Sequence, residues 1–558
     1  MLDTAVLPSC FAEVVSHIFA SNFARLELLV FNGDAQRNSS QGRAAKSLLG
    51  KVTNTLRDKE RRERLLYTLY ERLDQRRFAV PNDPLAPVDC SEPFRNIESI
   101  TVTPITKRFV HRFPVEAIEQ VRKAQLDVLI RFGFNILRGE ILTLPKYGIW
   151  SYHHGDNDYY RGGPAYFWEV YERNPLSGAI LQVLTEHLDA GMVLCKGQFA
   201  TSNDFSASLN RVQPYWGAVT FIIQKLHELH ERGWEHIERS ALEPAPYLGK
   251  KKIYTRPTNR EMLRRFGPAL IGKSVRKVAR RPRVKHWRLA IRTGAESILD
   301  NSAKPDLAGF RWMESPKGRF YADPFLIESE GKSWLFFEDF DYGANRGRIS
   351  CTQIQDGAMT TPLAVLERPY HLSYPCVFRD GGEFYMIPET AQSGAVELYR
   401  CGRFPDVWEL DTTLLKLRAV DSTLWAEDGQ YWLFVTMQEP RGGATQLWLF
   451  QASSLRGPWR PHPASPISTD VRKSRGAGAV FRAHGKLFRP SQDCSRHYGS
   501  SFTLNEIATL NPREYREEEV LTVGPTWARD LIATHSYSRG RGIEVIDGCV
   551  PVAAEEVE

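Results

Sequence analysis

The residues best suited to proton transfer lie in the stretch from Gly148 to Gly191. His153 ends an apolar run, and Asp189 precedes an Ala-Gly pair 36 positions later. An imidazole can donate a hydrogen bond to a developing oxyanion, and a nearby carboxylate can hold the protonated ring. The pair is therefore a candidate for acid–base chemistry. A satisfied loop histidine and a plain turn at Asp189 are the alternatives.

Alternating helix and strand patterns surround this stretch. Residues 5–22 and 115–125 carry apolar side chains at helical spacing, and residues 24–32 and 126–133 have strand patterns. A longer helical pattern covers residues 203–232. The alternation predicts an α/β domain with a mostly parallel sheet, in which ligands bind beyond the carboxyl ends of the strands.

The beginning of the sequence lacks a full first strand for such a domain. Only Met1, Leu2 and Asp3 precede the first helical pattern. We expect these residues to occupy the carboxyl end of that strand, with the remainder encoded upstream. A genuine N-terminal helix is the alternative.

Length and composition describe an ordinary globular protein. A chain of 558 residues exceeds what one hydrophobic core supports, so two domains are expected. The eight cysteines are scattered without zinc-ligand spacing, which favours reduced thiols, no metal and a cytoplasmic location. No apolar run approaches the length of a membrane helix.

The net charge of +7 is concentrated between Lys250 and Arg292. This clustering favours a basic linker, with a phosphate-rich partner or an anionic surface as alternatives, and it makes a nucleic-acid partner unlikely. We expect an α/β domain over 1–245, a linker over 246–305 and a second domain over 306–558. Nothing in the sequence indicates the oligomeric state.

The second domain carries a repeated phrase in which a glycine turn is followed by an aromatic or aliphatic strand. The phrase recurs about every 45–60 residues, at positions 330–340, 381–390, 428–437, 484–493 and 541–548. Radially repeated four-stranded sheets have such a period. Five repeats predict an all-β, five-bladed propeller, in which KHWRLAIR or FRWMES completes the last blade.

The first half resembles the 10-formyltetrahydrofolate-dependent formyltransferases, which carry Asn-x-His, a loop ending in Arg-Gly, and Asp-x-Gly. Ser151-Tyr152-His153, Arg161-Gly162 and Asp189-Ala190-Gly191 take these places. The resemblance covers about residues 5–235. It implies a Rossmann-like formyltransferase fold, 10-formyltetrahydrofolate as co-substrate, no metal, and catalysis by His153, Asp189 and Ser151. The other binding residues it implies are Gly133, Phe134, Asn135, His154, Asn157, Arg161 and Gly162.

Two departures separate the chain from that family. Ser151 stands where the family usually has Asn, and His154-Gly155-Asp156-Asn157-Asp158 replaces an apolar turn. Loss of one oxyanion donor typically costs on the order of 10²–10³ in rate. Either His154 or Asn157 substitutes, or the reaction has shifted, or activity has been lost. Alternatively, the acidic loop recruits a cationic amino substrate.

The second half resembles the β-propeller found at the N-terminus of glucosamine inositolphosphorylceramide transferases and, more distantly, five-bladed arabinanase-type glycoside hydrolases. The phrases that carry this resemblance include FYADPFLIE, LSYPCVFRDGGEFYMIPET and VDSTLWAEDGQYWLF. It implies that acids from successive blades surround the centre, where glycoside cleavage uses paired carboxylates. The residues implied are Asp323, Glu389, Asp421, Arg489, Gln492, Asp493 and His535. Turn or strand-end caps are the alternative for each acid.

Taken together, these patterns lead to an N-formyltransferase that acts on an amino sugar, sugar nucleotide or glycan, with a carbohydrate-binding propeller. A carbohydrate-active propeller with a degenerate formyltransferase domain is the alternative. A non-catalytic glycan-binding protein is the third possibility.

Overall fold

The computed structural model describes residues 1–40, 58–78, 80, 82–187, 191–243, 245–266, 283–294, 297–301, 305–438 and 445–557. The chain divides into two compact units, Met1–Val278 and Ala279–Glu558. We call them unit 1 and unit 2. None of the helices found in these described ranges has the length and apolar character needed to cross a bilayer.

Unit 1 contains a mixed sheet that positions His153. Parallel pairs join Leu28–Asn32 to Glu98–Val102 and Leu129–Arg131 to Ile149–His153. From Ile149–His153 the sheet continues antiparallel through Leu176–Val183 and Val193–Ala200. The remaining described strands of unit 1 are short: Val6–Pro8, Pro87–Asp89, Ile105–Lys107, Val110–Arg112 and Ile136–Leu137.

The first residues of the chain lie inside this sheet. Leu2 forms a parallel bridge with Phe31, and the backbone of Met1 accepts hydrogen bonds from the amides of Phe132 and Gly133. Residues 1–3 therefore take the predicted position, between Leu28–Asn32 and Leu129–Arg131. A cavity of about 830 Å³ adjoins them and is lined by these strands and by Val15, Ile18, Leu226 and Leu229.

Helices cover the sheet of unit 1, because their apolar residues recur at helical spacing. Two of the longer ones are Ser9–Ala20, whose buried side chains include Val14 and Ile18, and Val219–Arg232. The others are Gly33–Ser40, Lys59–Glu63, Leu65–Arg77, Ser91–Phe94, Val115–Lys123, Phe167–Glu172, Ala207–Asn210, Val212–Gly217 and Trp234–Ser240, with a 3₁₀ turn at Glu140–Thr143.

The long helix predicted over 203–232 is three shorter ones. Ser206 caps the N-terminus of the first of these helices, Ala207–Asn210, and its hydroxyl accepts a hydrogen bond from the amide of Leu209. The interruption falls around Pro214 and Gly217, residues that weaken a continuous helix.

The predicted linker is wrong at both ends. Tyr254 is 2% exposed, and its backbone pairs with Arg161 and Gly163, so this segment belongs to unit 1. Arg283–Thr293 is a strand of unit 2 that pairs along its whole length with Ile543–Ala553. The basic residues between 267 and 282 lie outside the described residues.

In its described residues, unit 2 consists of five antiparallel sheets, which confirms the predicted all-β second half. We number the blades in chain order by their first strands. Blade one has Arg319–Ser329, Lys332–Asp341, Arg346–Gln355, Ala358–Met359 and Leu363–Leu366; blade two has Ser373–Asp380, Glu383–Glu389, Val396–Arg403 and Val407–Leu415; blade three has Ala419–Glu427, Gln430–Gln438, Thr445–Ala452 and Arg460–Pro461. Blade four has Arg475–Gly476, Phe481–Ala483, Lys486–Asp493, Ser501–Leu510 and Tyr515–Val523; blade five has Tyr537–Gly540, Ile543–Ala553, Arg283–Thr293 and Arg311–Trp312. The only helical segments assigned to the described part of unit 2 are Ala391–Ser393 and Ala554–Val557.

The blades form a closed ring. The first strands of blades one to four contact one another in order, and blade five contacts blade one. The amide of Tyr537 donates to the carbonyl of Ala477 at 2.8 Å, which joins blade five to blade four. Blade five combines the beginning and the end of unit 2, as predicted for KHWRLAIR.

The repeated phrase corresponds to the hairpin between the first two strands of each blade. Four of its turns have two central residues with positive φ, at Glu330-Gly331, Gly381-Gly382, Asp428-Gly429 and His484-Gly485. This conformation is typical of type I′ turns, whose twist matches that of the flanking strands. The strand aromatics that follow, such as Phe336 and Phe434, are buried core.

Candidate functional site

His153 lies at the carboxyl end of Ile149–His153, where ligands of α/β sheets usually bind. Its side chain is already engaged in the structure. Nε2 lies 2.9 Å from the carbonyl oxygen of Tyr160, in the loop that follows, and the residue is 9% exposed. His153 therefore connects its strand to the far end of its own loop.

Ser151 lies inside the sheet. It is 1% exposed, its hydroxyl accepts from Nε of Arg131 at 3.1 Å, and it donates to the carbonyl of Tyr152. The hydroxyl hydrogen is used internally, so this arrangement offers none to an oxyanion.

The acids of the loop pair with a lysine of the sheet. Nζ of Lys196 lies 2.7 Å from Asp156 and 2.6 Å from Asp158, and Gln198 donates to the second oxygen of Asp156. The carboxylates are therefore compensated. The expectation that this loop recruits a cationic substrate is wrong for Asp156, because Lys196 already occupies that position.

His154 is packed among aromatic rings. Its ring centroid lies 4.0 Å from that of Tyr215, and Nδ1 lies 3.3 Å from the hydroxyl of Tyr166. Burial, together with smaller effects of His153 and Arg131, lowers the pKa of His154 to about 3. The ring is neutral, and its buried Nε2 has no hydrogen-bond partner among the described residues.

The other predicted residues of unit 1 shape the loop ends. Gly162 has φ 96°, and a Cβ there would lie 2.3 Å from the carbonyl oxygen of Tyr254. Arg161 donates to the carbonyl of Asn157, which closes the loop. Gly133 and Phe134 contact the first residues of the chain, and the amide of Asn135 donates to His111. Asp189 lies outside the described residues.

In unit 2, three first strands contain an irregularity at the same level. Pairing with the second strand shifts at Ala322/Phe325, Ser373/Cys376 and Val420/Thr423. Asp323, Tyr374 and Asp421 occupy these bulges with φ of 51°, 46° and 50°. Non-glycine residues adopt such φ values at a cost, and bulges re-aim side chains near active sites. The bulges turn polar side chains toward the centre of the ring.

The seven residues we call the axial cluster meet there from different blades: Asp323, Glu338, Glu389, Asp421, Arg475, His535 and Asp547. On one side, Arg475 pairs with Asp421, and its Nη2 lies 3.8 Å from Glu389. Asp421 acts on Glu389 and helps to raise the pKa of its carboxyl. Gln492 completes this side with a 3.5 Å contact to Asp421.

Asp323 forms the other side of the axial cluster with blade five. Its carboxylate accepts from the hydroxyl of Ser536 at 2.9 Å and from the amide of Tyr374 at 3.2 Å. Nε2 of His535 lies 3.5 Å away, while Nδ1 pairs with Asp547. The indole of Trp287 stacks on His535 at 3.9 Å. The ring of His535 is therefore held between two carboxylates.

Asp323, His535 and Asp547 also place their ligand atoms within 4.8 Å of one another, the one group in the described residues with the spacing of a metal site. The ion pairs of His535 with Asp323 and Asp547 account for the arrangement as it stands. Oxygen and imidazole ligands of this kind would suit a divalent cation.

Burial and mutual repulsion change the proton affinity of these groups. Burial raises the pKa of Glu389 to about 8, with Asp421 adding to the effect, and burial raises the pKa of Asp323 to about 6 despite the opposing effect of His535. Burial lowers the pKa of His535, but Asp547 and Asp323 outweigh it and raise the pKa above its usual value. Near neutral pH the cluster therefore offers a protonated carboxyl at Glu389 and an ionised one at Asp323, the combination that acid–base chemistry requires.

The structure brings together five of the seven residues predicted in unit 2: Asp323, Glu389, Asp421, Gln492 and His535. Arg489 instead pairs with Glu517 inside blade four at 2.7 Å, and Asp493 caps a turn by accepting from the amide of Ser495. Residues that sequence reasoning missed are Glu338, Tyr374, Arg475 and Asp547. For Glu338 and Asp547 the signal was the repeat itself, since both lie in the second strand of a blade, as Glu389 does.

Comparison with known proteins identifies relatives mainly of unit 2. Residues 310–529 match the family described as glucosamine inositolphosphorylceramide transferase 1, N-terminal. The protein of that name from Arabidopsis thaliana is 38% identical over 207 residues, 36% of this chain and 27% of the relative. The Oryza sativa subsp. japonica protein is 36% identical over 207 residues, 36% of this chain and 28% of its own length. The chain thus spans about a quarter of these curated relatives.

A shorter similarity exists to a methionyl-tRNA formyltransferase from Clostridium tetani, 32% identical over 93 residues, 16% of this chain and 30% of that protein. Among solved structures, a family 117 glycoside hydrolase from Zobellia galactanivorans is 12% identical, covers 48% of this chain and 90% of its own, and has a TM-score of 0.32.

Proposed function

We propose that unit 2 binds a sugar unit of a glycoconjugate at the axial cluster and acts on its glycosidic bond by general acid–base catalysis. The observation that carries the proposal is that Glu389, beside Arg475, and Asp323, beside His535 and Ser536, converge in one buried cluster. Glycoside chemistry uses one protonated and one ionised carboxyl group, and the raised pKa of Glu389 suits it to the protonated role.

In this mechanism Glu389 donates its proton to the glycosidic oxygen as the bond to the anomeric carbon breaks. Asp323 accepts a proton from the attacking hydroxyl, of water or of an acceptor sugar, as the new bond forms. Arg475 and Asp421 hold Glu389 in place, and Ser536 and His535 orient Asp323. The reaction leaves Glu389 ionised and Asp323 protonated, and exchange of one proton with water at each carboxyl then restores the starting state of both.

The similarity of residues 310–529 to the N-terminal part of glucosamine inositolphosphorylceramide transferases supports a glycoconjugate as the substrate class. Those relatives are transferases by name, which is why the acceptor in the proposed reaction includes a sugar hydroxyl. The chain covers only about a quarter of them, so the proposal rests first on the geometry of the axial cluster.

The test is a screen of aryl glycosides, amino sugars included, with the purified full chain. We expect release of the aryl alcohol from at least one substrate, and a loss on the order of 10²–10⁴ in kcat/KM for Glu389→Gln. Glu383→Gln is the matched control, because Glu383 begins the same strand on the exposed side and pairs with Arg400. Equal activity in Glu389→Gln and Glu383→Gln would exclude Glu389 as the acid.

A second candidate concerns unit 1: formyl transfer from 10-formyltetrahydrofolate to an amine, with His153 polarising the carbonyl and Asp189 managing the proton. The position of His153 at a strand end and the similarity to the Clostridium tetani enzyme favour it. In this proposal His153 would have to exchange its contact with Tyr160 for one with the substrate.

Calorimetry with 10-formyltetrahydrofolate tests this second candidate. Binding that is lost in His153→Ala, while His187→Ala binds normally, is the expected result; His187 is the matched control, an exposed histidine of the same unit. Absence of binding in the wild-type chain would leave unit 1 as an accessory to the propeller.

A further inference from the structure

The proposed mechanism does not use two carboxyls of the axial cluster: Asp547, which pairs with His535, and Glu338. Glu338 lies near the end of Lys332–Asp341 in blade one, opposite Ala322. It is 7% exposed, and its carboxylate accepts no hydrogen bond from any residue in the described part of the chain. Its nearest cationic candidate is Nε2 of His371, at 3.5 Å from Oε1.

His371 does not neutralise Glu338. Its Nδ1 accepts a hydrogen bond from the amide of Gly347 at 2.9 Å, which fixes the hydrogen of the neutral ring on Nε2. Burial lowers the pKa of His371 below its usual value, so the ring carries no charge near neutral pH. Glu338 therefore faces a neutral donor at the limit of hydrogen-bond distance.

The charges around Glu338 are also unbalanced. Five carboxyls lie in the axial cluster, against the guanidinium of Arg475 and the ring of His535, and both of these bind other acids. Asp323, Glu389, Asp547 and Asp421 all act on Glu338 and, after burial itself, raise its pKa well above the usual value. A cation that enters the site would relieve this repulsion, and a neutral ligand would not.

We infer that Glu338 is a specificity residue that binds the ammonium group of an amino sugar at the axial cluster. The inference rests on the proposed function, since it names the substrate class of the same site. An ammonium group supplies three donors to carboxyl oxygens that lack them, and such charge-assisted hydrogen bonds are the stronger kind. N-acetylation removes the charge and adds bulk, so N-acetylated and neutral sugars should bind more weakly.

The experiment compares two ligands with the same backbone, a β-1,4-linked glucosamine oligosaccharide and its fully N-acetylated counterpart, by calorimetry with the full chain. We expect the free-amine ligand to bind at least tenfold more tightly. Glu338→Gln should remove this preference, so that the free-amine ligand binds no more tightly than the acetylated one. Glu328→Gln, an acid of the same blade that accepts from Ser333, should retain the preference.

The outcomes separate the inference from the proposed function. Binding of both ligands with equal affinity, or a preference that survives in Glu338→Gln, overturns the role of Glu338 and leaves the sugar site standing. If neither glucosamine ligand binds the wild-type chain, and neutral oligosaccharides do not bind it either, the proposed function is overturned together with the inference. Calcium binding that Glu338→Gln abolishes, without any preference between the sugars, would assign the residue to a metal instead.

Discussion

The two predicted sites differ in how well their polar groups are compensated. In unit 1, His153, Ser151, Asp156 and Asp158 have partners from the surrounding sheet and loop. In unit 2, acids from four blades converge around one arginine. Buried charges that lack full compensation reduce stability and occur where function requires them. The contrast favours the axial cluster of unit 2 over the His153 loop of unit 1 as the site of the proposed chemistry.

The largest expected effect comes from breaking the compensation in unit 1. Lys196→Met should lower the free energy of unfolding by about 3 kcal/mol, because it leaves two largely buried carboxylates without a cation. Urea unfolding, with hydrogen exchange in peptides around 176–200, measures the loss. The double variant Lys196→Met/Asp156→Asn should recover part of it; no loss in the single variant would mean that these acids are solvated.

In unit 2 we expect a substitution that increases the free energy of unfolding. Glu338→Gln should raise the free energy of unfolding at pH 8 by about 1 kcal/mol, because it removes a crowded acid while keeping the shape of the side chain. Thermal and urea unfolding of the full chain measure the change. A clear destabilisation would show that Glu338 is compensated and would weaken the contrast.

The pH dependence of stability gives a further test. Glu389 has a folded-state pKa of about 8, above its ordinary value of 4.5. Its folded form binds a proton that the unfolded chain releases earlier, so its contribution to stability is present below about pH 4.5 and lost as the pH rises toward 8. Melting temperatures from pH 5 to pH 8 should fall less in Glu389→Gln than in the wild type. Identical slopes would contradict the raised pKa.

The smallest effect is expected at His154. Its ring is neutral and stacked, with one nitrogen unpartnered, so His154→Phe should change the free energy of unfolding by less than about 1 kcal/mol. If unit 1 binds 10-formyltetrahydrofolate through His154, the same variant loses that binding. Unfolding and calorimetry on one preparation distinguish a packing role from a binding role.

Local patterns in the sequence predicted the scaffold of unit 2 but only part of its site. The repeated glycine turn predicts the blade hairpins, because a type I′ turn needs particular residues at two adjacent positions. Asp323 and Ser536 are 213 positions apart and meet only because the ring closes. Arg475 lies outside the repeated phrases and Asp547 lies inside the last one, but their convergence on Asp421 and His535 is a consequence of blade order.

In unit 1 the sequence indicated the position of His153 and its polar loop. It did not indicate that Lys196 pairs with the acids of that loop. Lys196 lies on a strand about 40 residues beyond Asp156. Its pairing with the acidic loop depends on the antiparallel register of Leu176–Val183 with Val193–Ala200, which hydrophobic patterns alone do not fix. The composition of the loop therefore suggested a ligand site, whereas in the structure its acids form salt bridges with Lys196.

The most direct test of the axial cluster as an acid–base site is the dependence of kcat/KM on the leaving group, in the wild type and in Glu389→Gln. A proton donor matters most when the departing alcohol is a weak acid. The loss caused by Glu389→Gln should therefore grow as the pKa of the leaving aryl alcohol rises across a series of glycosides of one sugar. A loss of the same size for every leaving group would contradict the assignment of Glu389 as the proton donor.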